Sequence, residues 1–92
     1  MTRKGKQNPF FDDFQMRSMK LIRLSICIQN YRRHYNLSQR EMADICTLYG
    51  EPVNVKFFQT EIANYENCKT VPTPPKFQVL MNTMNIDESV LQ

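Results

Sequence analysis

A run of amide, hydroxyl and carboxyl side chains between positions 59 and 67 has the chemistry needed to contact the edges of nucleic-acid bases. The apolar residues Phe58, Ile62 and Tyr65 recur at helical spacing and predict a helix from about Phe58 to Cys68. If that apolar line faces inward, the outward positions are Gln59, Thr60, Glu61, Ala63, Asn64 and Asn67.

The outward side chains match known modes of base recognition. The amides of Gln and Asn can bond adenine with two hydrogen bonds, Thr can offer a methyl or a hydroxyl group, and Glu can accept from cytosine. Glu61 can instead repel phosphates and so limit wrong binding. The alternative interpretation of these outward residues is an ordinary solvated helix face with no role in binding. Base contacts are predicted for Gln59, Thr60, Glu61, Ala63 and Asn64.

Positive charge is concentrated in the first part of the chain, although the net charge is only +3. Residues 1–40 contain nine Lys or Arg and two Asp or Glu, whereas residues 41–92 contain three and seven. Such asymmetry indicates a cationic surface for a polyanion, or otherwise a solvated basic helix. The basic N-terminal arm could contact phosphates or enter a minor groove. Contacts to a nucleic-acid backbone are predicted for Arg3, Lys4, Lys6, Arg40, Lys56, Asn67 and Lys69.

Two helices are predicted ahead of this segment. The first runs from Gln15 to Tyr35 with a broad apolar face, and Asn36 suits its end because Asn tolerates the left-handed conformation. Ser38 and Glu41 form a capping-box pattern that starts a second helix, and Gly50 ends it. The buried side of this second helix is predicted to be Met42, Ile45, Cys46 and Tyr49.

The rest of the chain predicts further helix and no strand. Residues 50–56 form a loop, and the proline-rich stretch 70–75 leads into a fourth helix that Pro75 can start. A last short turn follows Asp87. We therefore predict an all-α, compact domain of four to five helices over residues 15–92, preceded by a basic flexible arm over residues 1–14.

Three segments together resemble a known family. Residues 28–43 contain Tyr31-Arg32 and Leu37-Ser38-Gln39 followed by Met42-Ala43, residues 59–69 contain Ile62 and Tyr65-Glu66-Asn67, and residues 74–91 follow as closing helices. This ordered set resembles the lambda-repressor-like (Cro/repressor, XRE-type) helix-turn-helix domain. The likeness covers about residues 20–91.

The resemblance implies a transcriptional regulator, in most such cases a repressor, that binds double-stranded DNA. The helix near 58–68 would enter the major groove, and a homodimer would bind a palindromic operator. The family pattern also implies that Gln39 bonds a DNA phosphate and can reach Gln59. It further implies a salt bridge between Arg32 and Glu66, joining the first helix to the end of the reading helix.

The chain departs from the family pattern in two places. Cys68 stands where the family usually has glycine, and since Cys enters the left-handed region less easily, we expect a different turn there. The connection between the second and third helices is also longer than in phage repressors. A lengthened connection is similar to that of the POU-specific domain, and it leaves the angle between the two helices open.

Other classes of function have little support in the sequence. It has no P-loop, no shielded carboxylate pair and no nucleophile beside a base, so we expect no enzyme activity and no cofactor. Three cysteines and one histidine lack metal-ligand spacing. No segment is apolar enough for a membrane span, and we expect a cytoplasmic, nucleoid-associated protein. The rival interpretation is a protein-interaction module such as an antitoxin or adaptor.

Overall fold

The computed structural model describes the backbone of residues 9–91 and the side chains of residues 18–91. This part of the chain is a compact all-helical globule without strands, as the sequence predicts. Four α-helices and two short 3-10 segments follow one another along the chain. They are α1 (Pro9–Tyr35), α2 (Gln39–Gly50), the 3-10 segment Glu51–Val53, α3 (Gln59–Glu66), α4 (Pro74–Met84) and the 3-10 segment Glu88–Leu91.

The first helix starts earlier than its apolar pattern predicts. Its backbone is helical from Pro9 rather than from Gln15, so part of the expected flexible arm belongs to α1. Proline is well suited to the first turn, since its missing N–H would have no partner there in any case. Residues 1–8, which include Arg3, Lys4 and Lys6, lie outside the described residues.

The predicted boundaries between α1 and α2 are confirmed. Asn36 adopts a left-handed conformation with φ of 55° and ends α1. The backbone N–H of Glu41 donates to Ser38 Oγ at 3.0 Å, and the backbone N–H of Ser38 donates to Glu41 Oε1 at 2.8 Å. This reciprocal pair satisfies two N–H groups that the helix start would otherwise leave without partners.

The core lies where α1, α2, α3 and α4 meet. It is built from buried apolar side chains of all four helices, of the segment before α3 and of the chain end. Its members are Leu24, Ile28, Met42, Ala43, Cys46, Phe57, Ile62, Tyr65, Val79, Leu80, Met81, Met84 and Leu91. Removing this apolar surface from water is the main favourable contribution to folding.

Two residues predicted to be buried are exposed, and both predictions were wrong. Phe58 is 64% exposed, and Phe57 is buried in its place at 4%. Phe58 has extended backbone angles (φ −118°, ψ 155°) as the N-cap of α3, so neighbouring side chains point to opposite sides. Tyr49 is 53% exposed because α2 packs through Met42, Ala43, Cys46 and Gly50 instead.

The long connection between α2 and α3 is fixed to α2 by hydrogen bonds. The N–H of Val55 donates to the carbonyl of Gly50 at 3.0 Å, and Asn54 turns the chain with φ of 58°. The N–H of Phe57 donates to Thr47 Oγ1 at 2.9 Å. A Cβ on Gly50 would lie 2.4 Å from the Val55 carbonyl oxygen, so this close approach requires glycine.

Within the described helices, none combines the length and apolar character needed to cross a bilayer.

Candidate nucleic-acid interface

The first turn of α3 presents free polar side chains. Gln59 and Thr60 are exposed, while Ala63 and Asn64 one turn later are half-buried. Ile62 and Tyr65, on the opposite side, are 0% and 3% exposed and anchor α3 in the core. Within the described part of the chain, the geometry therefore leaves two exposed side chains projecting at the start of the helix, with Ala63 and Asn64 on the flank.

Glu61 differs from this expectation because both of its carboxylate oxygens have intramolecular partners. Oε1 accepts from the backbone N–H of Phe58 at 3.0 Å, and Oε2 pairs with Nζ of Lys76 on α4. The first contact is half of a capping box, since the Phe58 side chain has no acceptor to complete it. Glu61 thus holds the start of α3 in place, and its oxygens are not free for a base.

Arg32 and Glu66, the pair that the family pattern implies, lie together in the structure. Arg32 Nε donates to Glu66 Oε2 at 2.5 Å and Nη2 donates to Oε1 at 2.9 Å, which gives a bidentate geometry. Their side chains are 22% and 6% exposed. Arg32 Nη1 also donates to the Leu37 carbonyl at 2.9 Å. The hydrogen bond to Glu66 raises the pKa of Arg32 further above its ordinary value.

Gln39 completes this cluster from the first turn of α2. Its Nε2 donates to Glu66 Oε1 at 3.0 Å, so the side chain expected to bond a phosphate also positions the end of α3. No hydrogen bond between Gln39 and Gln59 occurs in the described part of the chain. Arg32, Gln39 and Glu66, which we call the brace, therefore join α1, α2 and α3.

A second set of contacts holds the last carbonyl of α3 against α1. Ser25, which is 4% exposed, donates from Oγ to the Glu66 carbonyl at 2.6 Å. Gln29 Nε2 donates to Ser25 Oγ at 3.1 Å. A buried hydroxyl and a helix-end carbonyl thereby satisfy one another, which removes the desolvation cost that either would have alone.

Four residues expected to contact a nucleic-acid backbone, three cations and one amide, are exposed in the described part of the chain. Arg40 lies in the first turn of α2, Lys56 precedes α3, and Asn67 and Lys69 follow it. Lys20 of α1, for which no such contact was predicted, pairs with Glu88 at 3.1 Å. In sequence, the residues expected to contact phosphates therefore lie both before and after α3.

Sequence reasoning missed two residues next to this surface. Thr47 was not singled out, yet its hydroxyl accepts from Phe57 and can donate to the Ala43 carbonyl at 2.9 Å. Phe58 was expected in the core and instead exposes its ring beside Gln59. The signal for Phe58 was present in the sequence as two consecutive phenylalanines, since an extended residue before a helix can bury only one of them.

The turn that follows α3 forms although glycine is absent. Cys68 has φ of 58°, and its N–H donates to the Tyr65 carbonyl at 3.2 Å. The N–H of Lys69 donates to the Asn64 carbonyl at 2.8 Å, which completes a Schellman-type ending. The expectation of a different turn was wrong, because Cys68 adopts the left-handed conformation in spite of its Cβ.

Among the residues with described side chains, no three His, Cys, Asp or Glu groups come close enough to share a metal ion. Comparisons with protein-family models, with curated protein sequences and with solved structures found no significant match. The chemistry of the exposed first turn of α3, and the contacts that hold α3 in place, are therefore the basis for a functional assignment.

Proposed function

We propose that this protein binds double-stranded DNA sequence-specifically, as a transcriptional repressor of the lambda-repressor-like helix-turn-helix kind. One observation carries the proposal: the first turn of α3 exposes Gln59 and Thr60 while the end of α3 is fixed by the brace. Base reading needs side chains on a rigid element, since their positions decide which hydrogen bonds form.

The exposed first turn of α3 has the chemistry for direct readout in the major groove. Gln59 can give two hydrogen bonds to adenine, and Thr60 can contact a thymine methyl or a base acceptor. Ala63 and Asn64 lie one turn later, where Ala63 suits a thymine methyl and Asn64 an adenine. Glu61 is assigned here to the capping of α3 rather than to a base.

Affinity would come from phosphate contacts. The first N–H groups of α2 lie beside Gln39 and Arg40, and unpaired N–H groups at a helix start favour an anion. Arg40, Lys56 and Lys69 can add charge, and the basic residues of the arm can extend the contact. We expect a homodimer on a palindromic operator, with half-sites about one helical turn apart, and a protein located with the nucleoid.

A protein-binding role is the second candidate, and exposed apolar side chains near α3 favour it. Leu48, Tyr49, Val53 and Phe58 are each more than half exposed, at 63%, 53%, 61% and 64%. They come from the end of α2, the 3-10 segment and the start of α3, and such exposure can mark a partner surface. An antitoxin or adaptor would use this surface without reading DNA.

Selection of bound duplexes from a random pool, followed by titration, separates the two candidates. We expect one enriched motif, with binding at least about 1,000-fold tighter than to a scrambled duplex at equal salt. Affinity for both duplexes should fall steeply as salt rises, because bound phosphates release counterions. Equal affinity for selected and scrambled duplexes, or no binding at low salt, would contradict the proposal and favour the protein-binding role.

A further inference from the structure

A lysine of α4 restrains the carboxylate that caps α3. Glu61 accepts from the backbone N–H of Phe58 with one oxygen, at 3.0 Å, and pairs with Nζ of Lys76 through the other. The side chains of Glu61 and Lys76 are 27% and 25% exposed, so water reaches each of them only in part. Among the described residues, this ion pair is the one polar side-chain contact that joins α3 to α4.

Lys76 occupies a position where a helix disfavours a cation. It is the third residue of α4, which begins at Pro74, and the first turn of α4 contains no acidic residue. Because a helix start carries partial positive charge, a lysine there is destabilising unless an anion compensates it. Glu61 is that anion. Nζ of Lys76 also lies 5.5 Å from the ring centroid of the buried Phe57, within the range of a cation–π contact.

The start of α2 shows what the start of α3 lacks. In α2, Ser38 and Glu41 each accept from the backbone N–H of the other, so two bonds fix the cap. In α3 the residue equivalent to Ser38 is Phe58, whose ring has no acceptor, and only the bond to the Glu61 carboxylate remains. The ion pair with Lys76 supplies the second restraint.

We propose that Lys76 is a positioning residue for base reading, an inference that rests on the proposed function. Lys76 holds the Glu61 carboxylate in its capping position and neutralises its charge. In the major groove, the first turn of α3 lies between phosphates, which an unpaired carboxylate beside Gln59 and Thr60 would repel. A freed carboxylate can also accept a hydrogen bond from cytosine, which would change the base preference. Lys76 therefore acts on DNA through Glu61 and without contacting it.

Amide hydrogen exchange tests the positioning step without DNA. In Lys76→Met, which keeps an apolar side chain of similar length, we expect the Phe58 N–H to exchange at least about threefold faster, because Glu61 loses its second restraint. The Ser38 N–H, which Glu41 caps in the same way, is the control and should keep its rate. Lys76→Arg should restore the wild-type rate, since a guanidinium can also pair with a carboxylate. An unchanged rate at Phe58 in Lys76→Met would overturn the inference, whether or not the protein binds DNA.

Titration of the selected duplex at constant salt tests the effect of the charge. We expect Lys76→Met to weaken binding at least about tenfold, because it leaves Glu61 unpaired beside DNA. Adding Glu61→Gln should return the affinity to within about threefold of the wild type, since glutamine can cap Phe58 without a charge. Lys20→Met removes the lysine of an exposed ion pair elsewhere and changes the net charge equally, so it is the matched control and should leave the affinity unchanged.

The outcomes separate this inference from the proposed function. If Lys76→Met and the double variant with Glu61→Gln bind equally weakly, Lys76 contacts DNA itself, and the inference is overturned while the proposed function stands. If the wild-type chain selects no duplex, the proposed function and the base-reading part of this inference are overturned together.

Discussion

The guanidinium of Arg32 at the end of α1 donates two parallel hydrogen bonds, of 2.5 Å and 2.9 Å, to the carboxylate of Glu66 at the end of α3. Gln39 of α2 adds a third donor to the same carboxylate at 3.0 Å. Because the Glu66 side chain is only 6% exposed, its charge depends on these donors in place of water. One carboxylate thus fixes the relative positions of three helices.

Removing either partner of this pair should destabilise the fold strongly. We expect Glu66→Ala to lower the free energy of unfolding by about 3 kcal/mol, since Arg32 would keep its charge without its main partner. A double-mutant cycle with Arg32→Ala, measured by urea unfolding, should give a coupling of about 1–3 kcal/mol. The exposed pair Lys20 and Glu88 is the matched control and should couple by less than about 0.5 kcal/mol. Additive losses at Arg32 and Glu66 would mean that the pair does not act as a unit.

Cys68→Gly should stabilise the protein. A left-handed residue with a Cβ costs about 1–2 kcal/mol, whereas glycine adds about 0.5–1 kcal/mol of entropy to the unfolded chain. The difference predicts a net gain of about 0.5–1 kcal/mol, measurable as a higher midpoint in urea. Asn36→Gly, at another left-handed position, should gain less because Asn tolerates that conformation. A loss of stability in Cys68→Gly would show that the Cys68 side chain stabilises the fold by more than its left-handed backbone conformation costs.

High pH should destabilise the fold through two buried acidic side chains, those of Tyr65 and Cys46. Burial raises the pKa of Tyr65 from 10.0 to about 12, and burial raises that of Cys46 from 9.0 to about 11. Each group keeps its proton up to a higher pH in the folded state than in the unfolded chain. Its stabilisation is therefore complete below the unfolded pKa and is lost as pH rises through the folded pKa.

For Tyr65 the loss should fall between pH 10 and pH 12 and amount to about 2–3 kcal/mol. Urea unfolding across that range should show a shallower decline in Tyr65→Phe than in the wild type. The exposed Tyr49→Phe is the control and should follow the wild-type curve. If all three chains lose stability in parallel, ionisation of Tyr65 does not drive the transition.

The predictions that succeeded from sequence are those that depend on neighbouring residues. The capping box of Ser38 and Glu41 and the left-handed Asn36 are decided within a few positions, so their residue types are sufficient. The Arg32–Glu66 contact spans thirty-four positions, and only the resemblance implied it. Its geometry depends on how α1 and α3 pack, which no local pattern contains.

The predictions that failed depend on where a helix begins or turns. The apolar line Phe58, Ile62 and Tyr65 has good helical spacing, but α3 starts one residue later and Phe57 enters the core instead. Thr47 was missed because its partner, the Phe57 N–H, follows the connection between α2 and α3, and the sequence does not predict how that connection folds back on α2. The broad apolar face predicted for the first helix includes Met19, Ile22 and Ile26, which are about half exposed, because periodicity alone does not show which apolar side chains of a helix enter the core.

The sharpest test of α3 as a reading helix is the loss of one side chain at its exposed first turn. We expect Gln59→Ala to weaken binding to the selected duplex by about 1–3 kcal/mol and to relax preference at one base position. Gln59 is exposed, so the unfolding free energy should change little, and lost affinity cannot then be attributed to lost fold.

Gln78→Ala is the matched control, because Gln78 is an exposed glutamine on α4 whose side chain bonds Asn82 of the same helix. It should leave both affinity and base preference unchanged. Lys56→Ala should instead weaken binding to the selected and scrambled duplexes alike. It should also reduce the slope of log affinity against log salt concentration by about one, as expected for the loss of a phosphate contact. If Gln59→Ala also weakens both duplexes equally, Gln59 does not read a base, and the exposed turn of α3 contacts only the DNA backbone.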